Sequence, residues 1–416
     1  MTNKTLLKFI LYNITKDVMF SSHSSIMRIQ LSLSLLLTAS AALATDGYFD
    51  HGYGVKAKGL GGAGVAFAQD SLVVATNPAG LVDVADSHQV GLTWFAPDRS
   101  VTVNGNTFDG NEDGSFYIPD FSYKTTLSGG VAFGLALFGN GGMNTGYQVP
   151  LFETPAPGSP SNTAMDMSQL FIAPTWSWRV DGGHAFGVSA ILAGQRFKAT
   201  GLEEFGVPGA GYDTSFGGGA RLGWTWQASQ SLKVGATYQS RLWMSKFDKY
   251  AGLFADQGGF DIPSNYALGF AYKVDSSLTW AFDVERIHYS EVNSVGNPGS
   301  SPGLFGASDG PGFGWHDVTV IKTGLAYEVS PTLVVRLGYN HTTQPIGSSD
   351  VYFNQLAPGV VRHHATLGAT WQANASTEVS FFYAHAFKET VSGNIGVPAS
   401  LQMDQDSFGL SLNWKH

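Results

Sequence analysis

From about residue 88 to the end of this 416-residue chain, apolar side chains recur at every second position in a long series of segments. Val90, Leu92 and Trp94 alternate with Gln89, Gly91 and Thr93; Leu222, Trp224 and Trp226 alternate with Arg221, Gly223 and Thr225; Leu268, Phe270 and Tyr272 alternate with Gly269, Ala271 and Lys273. That period sends successive side chains to opposite faces of a strand. It places strands at 88–96, 115–126, 129–140, 166–180, 183–199, 213–227, 231–247, 262–274, 277–292, 313–328, 331–343, 361–373, 376–390 and 405–414. Short turns near Ser128, Gly182, Ser229, Ser276, Pro331 and Ala375 alternate with long Gly/Pro-rich connections at 97–114, 141–165, 200–212, 248–261, 293–312, 344–360 and 391–404. A soluble β-sandwich has no reason to sort its loops by length. An outer-membrane barrel does, with short periplasmic turns and long extracellular loops. The sequence therefore reads as all-β: a transmembrane antiparallel β-barrel of about 14 strands over 88–416, with both chain ends periplasmic.

Composition agrees with an exported barrel. Only 13% of residues are charged, while Gly (52), Tyr (16) and Trp (10) are abundant, and cysteine is absent. No disulfide framework or thiolate metal site can form. Residues 1–44 carry four Lys/Arg and one acidic residue, which leaves 19 basic against 31 acidic side chains beyond them. Nucleic-acid binding needs a basic surface and is excluded.

Met27-Arg28 opens a basic region, Ile29 to Ala42 is apolar, and Ala42-Leu43-Ala44 fits a signal-peptidase site, so cleavage is expected after Ala44. The apolar run is shorter than the about 20 residues a spanning helix needs. Met1, Met19 and Met27 are all candidate starts, and residues 1–26 read as an upstream extension of the signal peptide.

Residues 45–87 are different from everything that follows. Six glycines fall between Gly52 and Gly64, followed by the apolar run Leu72 to Ala75 and a turn at Asn77-Pro78. One compact, non-repeating piece before a repetitive β array suggests a plug inside the barrel. Gly59 to Leu81, GLGGAGVAFAQDSLVVATNPAGL, resembles the N-terminal hatch of the FadL family of outer-membrane transporters for long-chain fatty acids and other hydrophobic compounds. Asn77-Pro78-Ala79, with Gly80 after it, is the most specific part. Gly59, Gly61 and Gly64 also spell a dinucleotide fingerprint, but no buried strand precedes them and no βαβ pattern follows. Close packing of plug backbone on the wall accounts for them better.

Phe138-Gly139-Asn140-Gly141-Gly142 ends the third strand, and glycines there mark a bulge or bend. The resemblance implies that this kink opens the wall so that substrate leaves sideways into the bilayer. Leu170 to Trp178 and Val379 to Phe387 are apolar on both faces, which suggests an oily conduit or a wall-to-plug contact. Inward-facing Arg196, Lys198, Arg241 and Lys322 would suit a carboxylate, with Phe138 and Phe171 as apolar contacts. His288, His341, His363, His364 and His385 lie scattered without a spaced carboxylate set, so no metal or cofactor is expected. No G-x-S-x-G motif occurs, so no enzyme is indicated.

By resemblance, then, the chain is a monomeric passive transporter of long-chain fatty acids or hydrocarbons, with a moving hatch and a lateral exit. Its other expected partners are outer-membrane lipid and the barrel assembly machinery. Alternatives are a hydrophilic general porin and an outer-membrane lipid hydrolase. The C-terminal Lys415-His416 departs from the usual terminal aromatic residue, which here is Trp414.

Overall fold

The computed structural model describes residues 46–152, 161–207 and 209–416. The expected leader and its cleavage point after Ala44 lie outside these residues. Sixteen strands occur among them: β1 (Ser87–Val103), β2 (Asn106–Asp109), β3 (Phe116–Thr126), β4 (Ala132–Tyr147), β5 (Thr163–Val180), β6 (His184–Thr200), β7 (Asp213–Gln227), β8 (Leu232–Gln239), β9 (Trp243–Met244), β10 (Asn265–Lys273), β11 (Leu278–Ile287), β12 (Val318–Ser330), β13 (Leu333–Thr342), β14 (His363–Gln372), β15 (Thr377–Asn394) and β16 (Pro398–Lys415). Strands β2 and β9 are short side pairings. The other 14 run antiparallel in chain order, and β16 pairs with β1 from Ser87↔Lys415 to Val103↔Ala399 to close the barrel.

Side-chain parity sets the two surfaces. Leu92, Leu222, Leu268, Leu337, Leu367 and Leu410 all point outward and are exposed. Such a continuous apolar belt is stable against lipid tails and not against water. Trp176, Trp178, Phe186, Trp226, Trp280 and Trp371 form an exposed aromatic girdle near the short-turn end. Inward positions on the same strands are polar or small, including Gln89, Thr93, Ser122, Thr175, Ser177, Asp283, Thr366 and Ser411. The two segments read as apolar on both faces are therefore mixed inside: Phe171 and Phe382 face inward, but so do Thr175, Ser177 and Ser380.

Several expected boundaries move. Loop 97–114 is largely strand: β1 runs on to Val103, and β2 returns after Asn104-Gly105, both at positive φ. That pair is a two-residue hairpin turn of the type Asn-Gly favours. Loop 391–404 is also strand, because β15 and β16 continue to a turn at 395–397 that uses Gly396 at φ 93°. The strand expected at 231–247 stops at Gln239, and the one expected at 129–140 runs through its glycines to Tyr147. Lys415 belongs to β16, its Nζ 2.5 Å from Glu378 Oε1, so the tail beyond Trp414 is built into the barrel.

Residues 46–84 lie against the inner wall. A single helical turn (Val55–Lys58) and two 3₁₀ turns, Ser71–Ala75 and Pro78–Asp83, carry most of them. Asn77 caps the second 3₁₀ turn, its Oδ1 accepting from Ala79 N at 3.0 Å, while its Nδ2 donates to Val65 O and to Trp224 O of β7. The wall makes room for this corner: a Cβ on Gly223 would sit 2.0 Å from Asn77 Oδ1, and one on Gly187 2.3 Å from the Pro78 carbonyl carbon. Gly59, Gly61 and Gly64 are likewise wall contacts rather than a nucleotide cradle. The amides of Gly64 and Val65 donate to Asp283 Oδ2, and that of Gly61 to Thr366 Oγ1.

Candidate functional site

Among the described residues the longest break in the wall lies between β3 and β4. Pairing between β3 and β4 runs from Thr126↔Ala132 to Phe121↔Leu137 and ends there, although β3 continues beside β1 to Phe116 and β4 beside β5 to Tyr147. Phe116–Asp120 on one bank and Phe138–Thr145 on the other are thus unpaired with each other. The gap is closed above by backbone bonds between Gly146 and the 110–112 segment. Two sequence features cause it. The register of β4 on β5 slips between Gly139 and Gly141, leaving Asn140 as the extra residue of a bulge that bends the strand. On the opposite bank Pro119 has no N–H to donate, which suits an edge strand.

The freed edge of β4 is taken by the N-terminal segment. Asp50 N donates to Asn140 O (3.0 Å) and Gly142 N to Tyr48 O (3.1 Å), and a Cβ on Gly141 would lie 1.7 Å from Tyr48 O. The expected opening residues, Gly139 to Gly142, therefore form both the bulge and the seat for Tyr48-Phe49-Asp50. Tyr53 Oη donates to Asn140 Oδ1, and a chain of amides runs on from Asn140 to Gln169 and Gln195 across β4, β5 and β6.

Two cavities open among the described residues, and the first adjoins this region. It is lined by Phe95, Arg99, Met143, Asn144, Trp315 and Met403, and so includes two residues of the β4 bank. The other is lined mainly by Met165, Phe197, Phe254, Phe305, Phe313 and Phe353. Both are apolar and concave, as small-molecule sites are. Arg99 ties the roof together: its guanidinium donates to Asn111, to Asn144 and to the Asp113 carbonyl.

The N-terminal segment is held lower down by buried ion pairs. Lys56 Nζ is 2.7 Å from Glu378, Lys58 Nζ is 2.6 Å from Asp50, and Lys322 Nζ lies 2.8 Å from Glu285 and 3.7 Å from Asp46. Burial pushes the Asp46 carboxyl up to about 7 against the pull of Lys322. Burial acts the same way on Asp50, but Lys58 and His51 outweigh it and hold that carboxyl at about 2.

These positions correct the expected cation set. Arg196 and Lys198 are outward-facing, on the opposite parity from buried Gln195, Phe197 and Ala199, and both lie over the Tyr212 ring. Arg241 follows β8 and is bound to Asp261 and the Glu291 carbonyl. Lys322 faces inward but is engaged by two carboxylates. Phe138 and Phe171 do meet, with ring centroids 5.6 Å apart, and Tyr53 packs on Phe138 at 5.1 Å. Sequence reasoning missed the whole β3 bank, for which Pro119 was the available signal.

A family model described as "Outer membrane protein transport protein (OMPP1/FadL/TodX)" matches residues 42–407. Among solved structures, the toluene transporter TodX of P. putida is 18% identical, with TM-score 0.68 over 88% of this chain and 99% of its own. A Pseudomonas aeruginosa FadL homologue is 15% identical, with TM-score 0.68 and the same coverage. The Ralstonia pickettii toluene transporter TbuX is 17% identical, with TM-score 0.64 over 88% and 98%. No curated protein matches the chain.

Proposed function

Because the chain belongs to the OMPP1/FadL/TodX family of outer membrane transport proteins, we propose that it carries long-chain fatty acids or related hydrophobic molecules inward and releases them sideways through the gap between β3 and β4. Long loops face the medium in this reading, and the short turns and both chain ends face the periplasm. The loops collect the ligand, and the two apolar cavities hold it at roughly 25 cal/mol per Å² buried. Residues 46–84 act as the hatch, closing the straight path into the periplasm. A ligand leaving through the wall stays in apolar surroundings, whereas one leaving past the hatch re-enters water at about 0.8 kcal/mol per CH₂. For a long alkyl chain that difference selects the sideways route.

The observation that carries the reading is the lost β3–β4 pairing, coinciding with the Asn140 bulge and with Met143 and Asn144 of the first cavity. Deleting Asn140 restores a continuous register on β5. A folded, heat-modifiable barrel that no longer supports growth on a long-chain fatty acid or hydrocarbon is the expected result; full uptake by that folded variant would refute the wall exit.

A further inference from the structure

Sequence order scatters the outward histidines, but strand register brings two of them together. His341 near the end of β13 is the direct partner of His363 at the start of β14. One step along, Thr342 N donates to Arg362 O at 2.8 Å. His341 and His363 therefore occupy a non-hydrogen-bonded position of the antiparallel pair, where facing side chains stand closest. Their Nδ1 atoms are 3.3 Å apart, with ring centroids at 4.6 Å. Tyr339 precedes His341 by two residues on the same face, and its Oη lies 2.5 Å from His363 Nδ1. Two imidazole nitrogens and a phenol oxygen thus meet on the outer surface. Leu337 and Leu367 of the apolar belt share that face, and the partly exposed histidines sit where the belt ends and the 344–360 connection begins.

An imidazole nitrogen carries either a lone pair or a proton in the ring plane, never both. His363 Nδ1 can therefore satisfy Tyr339 or His341, and one of them is always left over. The other nitrogen of His363, Nε2, is 3.8 Å from Glu389 Oε1. A carboxylate on the far side of the ring is the kind of partner that orients a metal-ligating histidine and raises its basicity. The one neighbouring cation, Arg362, is engaged by the Thr342 carbonyl at 3.3 Å. Other outward histidines are committed differently. His385 Nδ1 is 2.9 Å from Asp406 Oδ1 and His288 Nδ1 is 3.0 Å from Ser264 Oγ. Among the described residues neither has a second imidazole nitrogen within hydrogen-bond reach.

The spacing selects the kind of ligand. Zinc–imidazole bonds of about 2.0–2.1 Å at a roughly tetrahedral angle place two nitrogens about 3.3–3.4 Å apart. The observed 3.3 Å is already that bite. A square-planar ion with bonds of similar length needs them at about 2.8–3.0 Å. Among the described residues no three His, Cys, Asp or Glu side chains gather where they could hold a metal; here the third donor is a phenol. We propose that His341, His363 and Tyr339 form a surface site for a tetrahedral first-row dication, zinc, with water in the remaining position. The bound ion clips β13 to β14 at the root of the 344–360 connection. None of these three residues lines either cavity, and the site does not rest on the transport reading.

The test is zinc binding by the untagged, full-length barrel in detergent, stripped with chelator and held at about pH 7.5, where an ordinary imidazole is neutral. Calorimetry should show a saturable site. Cobalt(II), a coloured substitute, should give the intense visible bands of a tetrahedral ion, and zinc should then bleach them. His341→Ala and His363→Ala should each abolish those bands and weaken zinc by about tenfold or more, at least the effect of losing an outer partner of a ligand. Tyr339→Phe should weaken zinc less, and His385→Ala should leave it unchanged. Heat-modifiability checks that each variant folds. In wild type, zinc should also shield His341 and His363, but not His385, from carbethoxylation mapped by mass spectrometry, a readout that needs no variant. Absence of zinc binding by wild type, affinity unchanged in both folded histidine variants, or shielding confined to other histidines overturns the site.

Discussion

The lower and upper halves of the barrel interior solve opposite problems. Below, residues 46–84 meet the wall through ion pairs, backbone amides and glycine slots: Lys56 with Glu378, Gly64 and Val65 with Asp283, Asn77 against Gly223. Above, Phe197, Phe254, Phe260 and Met165 meet through apolar surface, with ring centroids of Phe254 at 4.6 Å from Phe197 and 4.9 Å from Phe260. Polar contacts are directional and fix one seating. Aromatic and methionine surfaces are not directional and tolerate varied ligands. In the route proposed above, a fixed floor under an accommodating chamber makes the wall gap the place where a ligand leaves without disturbing the floor.

The lower half should be the more fragile to single changes. Lys58→Met strands the Asp50 carboxylate with only His51 nearby, a loss of about 3–5 kcal/mol; hydrogen exchange of residues 46–84 should rise sharply while the barrel strands stay protected. Gly223→Val follows, because its side chain must displace Asn77; overpacking of this kind costs about 1–3 kcal/mol. An unseated corner should show as faster sugar entry in liposome swelling. If either variant leaves the segment as protected as in wild type, the polar floor is not what holds it.

Phe254→Ala sharpens the contrast from above. It should weaken ligand binding by roughly tenfold, the equivalent of losing part of a buried aromatic contact, yet leave exchange in residues 46–84 unchanged. The smallest effect is a pH dependence. Asp46, at about 7 in the fold against an ordinary 3.8, binds its proton more tightly when seated, so its contribution to seating is full below about 4 and declines as pH rises through 7. Asp50, held at about 2, contributes above 3.8 and loses that contribution only as pH falls toward 2. Exchange at Tyr48–Asp50, corrected for intrinsic rates, should therefore increase from pH 5 to pH 8 in wild type and stay flat in Asp46→Asn.

The barrel was legible because period-two patterning and loop sorting are local properties, and the Asn77 corner because its cap needs that residue. Strand extensions at Asn104-Gly105 and Gly396 were hidden by reading Gly and Pro as loop. The outward direction of Arg196 and Lys198 was available by parity from Phe186, Val188 and Leu192 on the same strand; the charges simply begin where that face reaches the long-loop end. Pro119 was a local signal for an edge on β3, but the extent of the gap was not legible, since it depends on where the pairing with β4 stops.

The central claim is that ligand leaves through the wall while the hatch stays seated. Ser71 of the N-terminal segment and Ser122 of β3 lie Oγ to Oγ at 2.7 Å, both fully buried, and the chain has no native cysteine to interfere. Converting both to cysteine should give a near-isosteric disulfide that locks the hatch to the wall. Fatty-acid uptake by the oxidised Ser71→Cys, Ser122→Cys protein should match that of the reduced form. Uptake that disappears on oxidation and returns with reductant would contradict the lateral route and make displacement of the hatch the step that admits substrate.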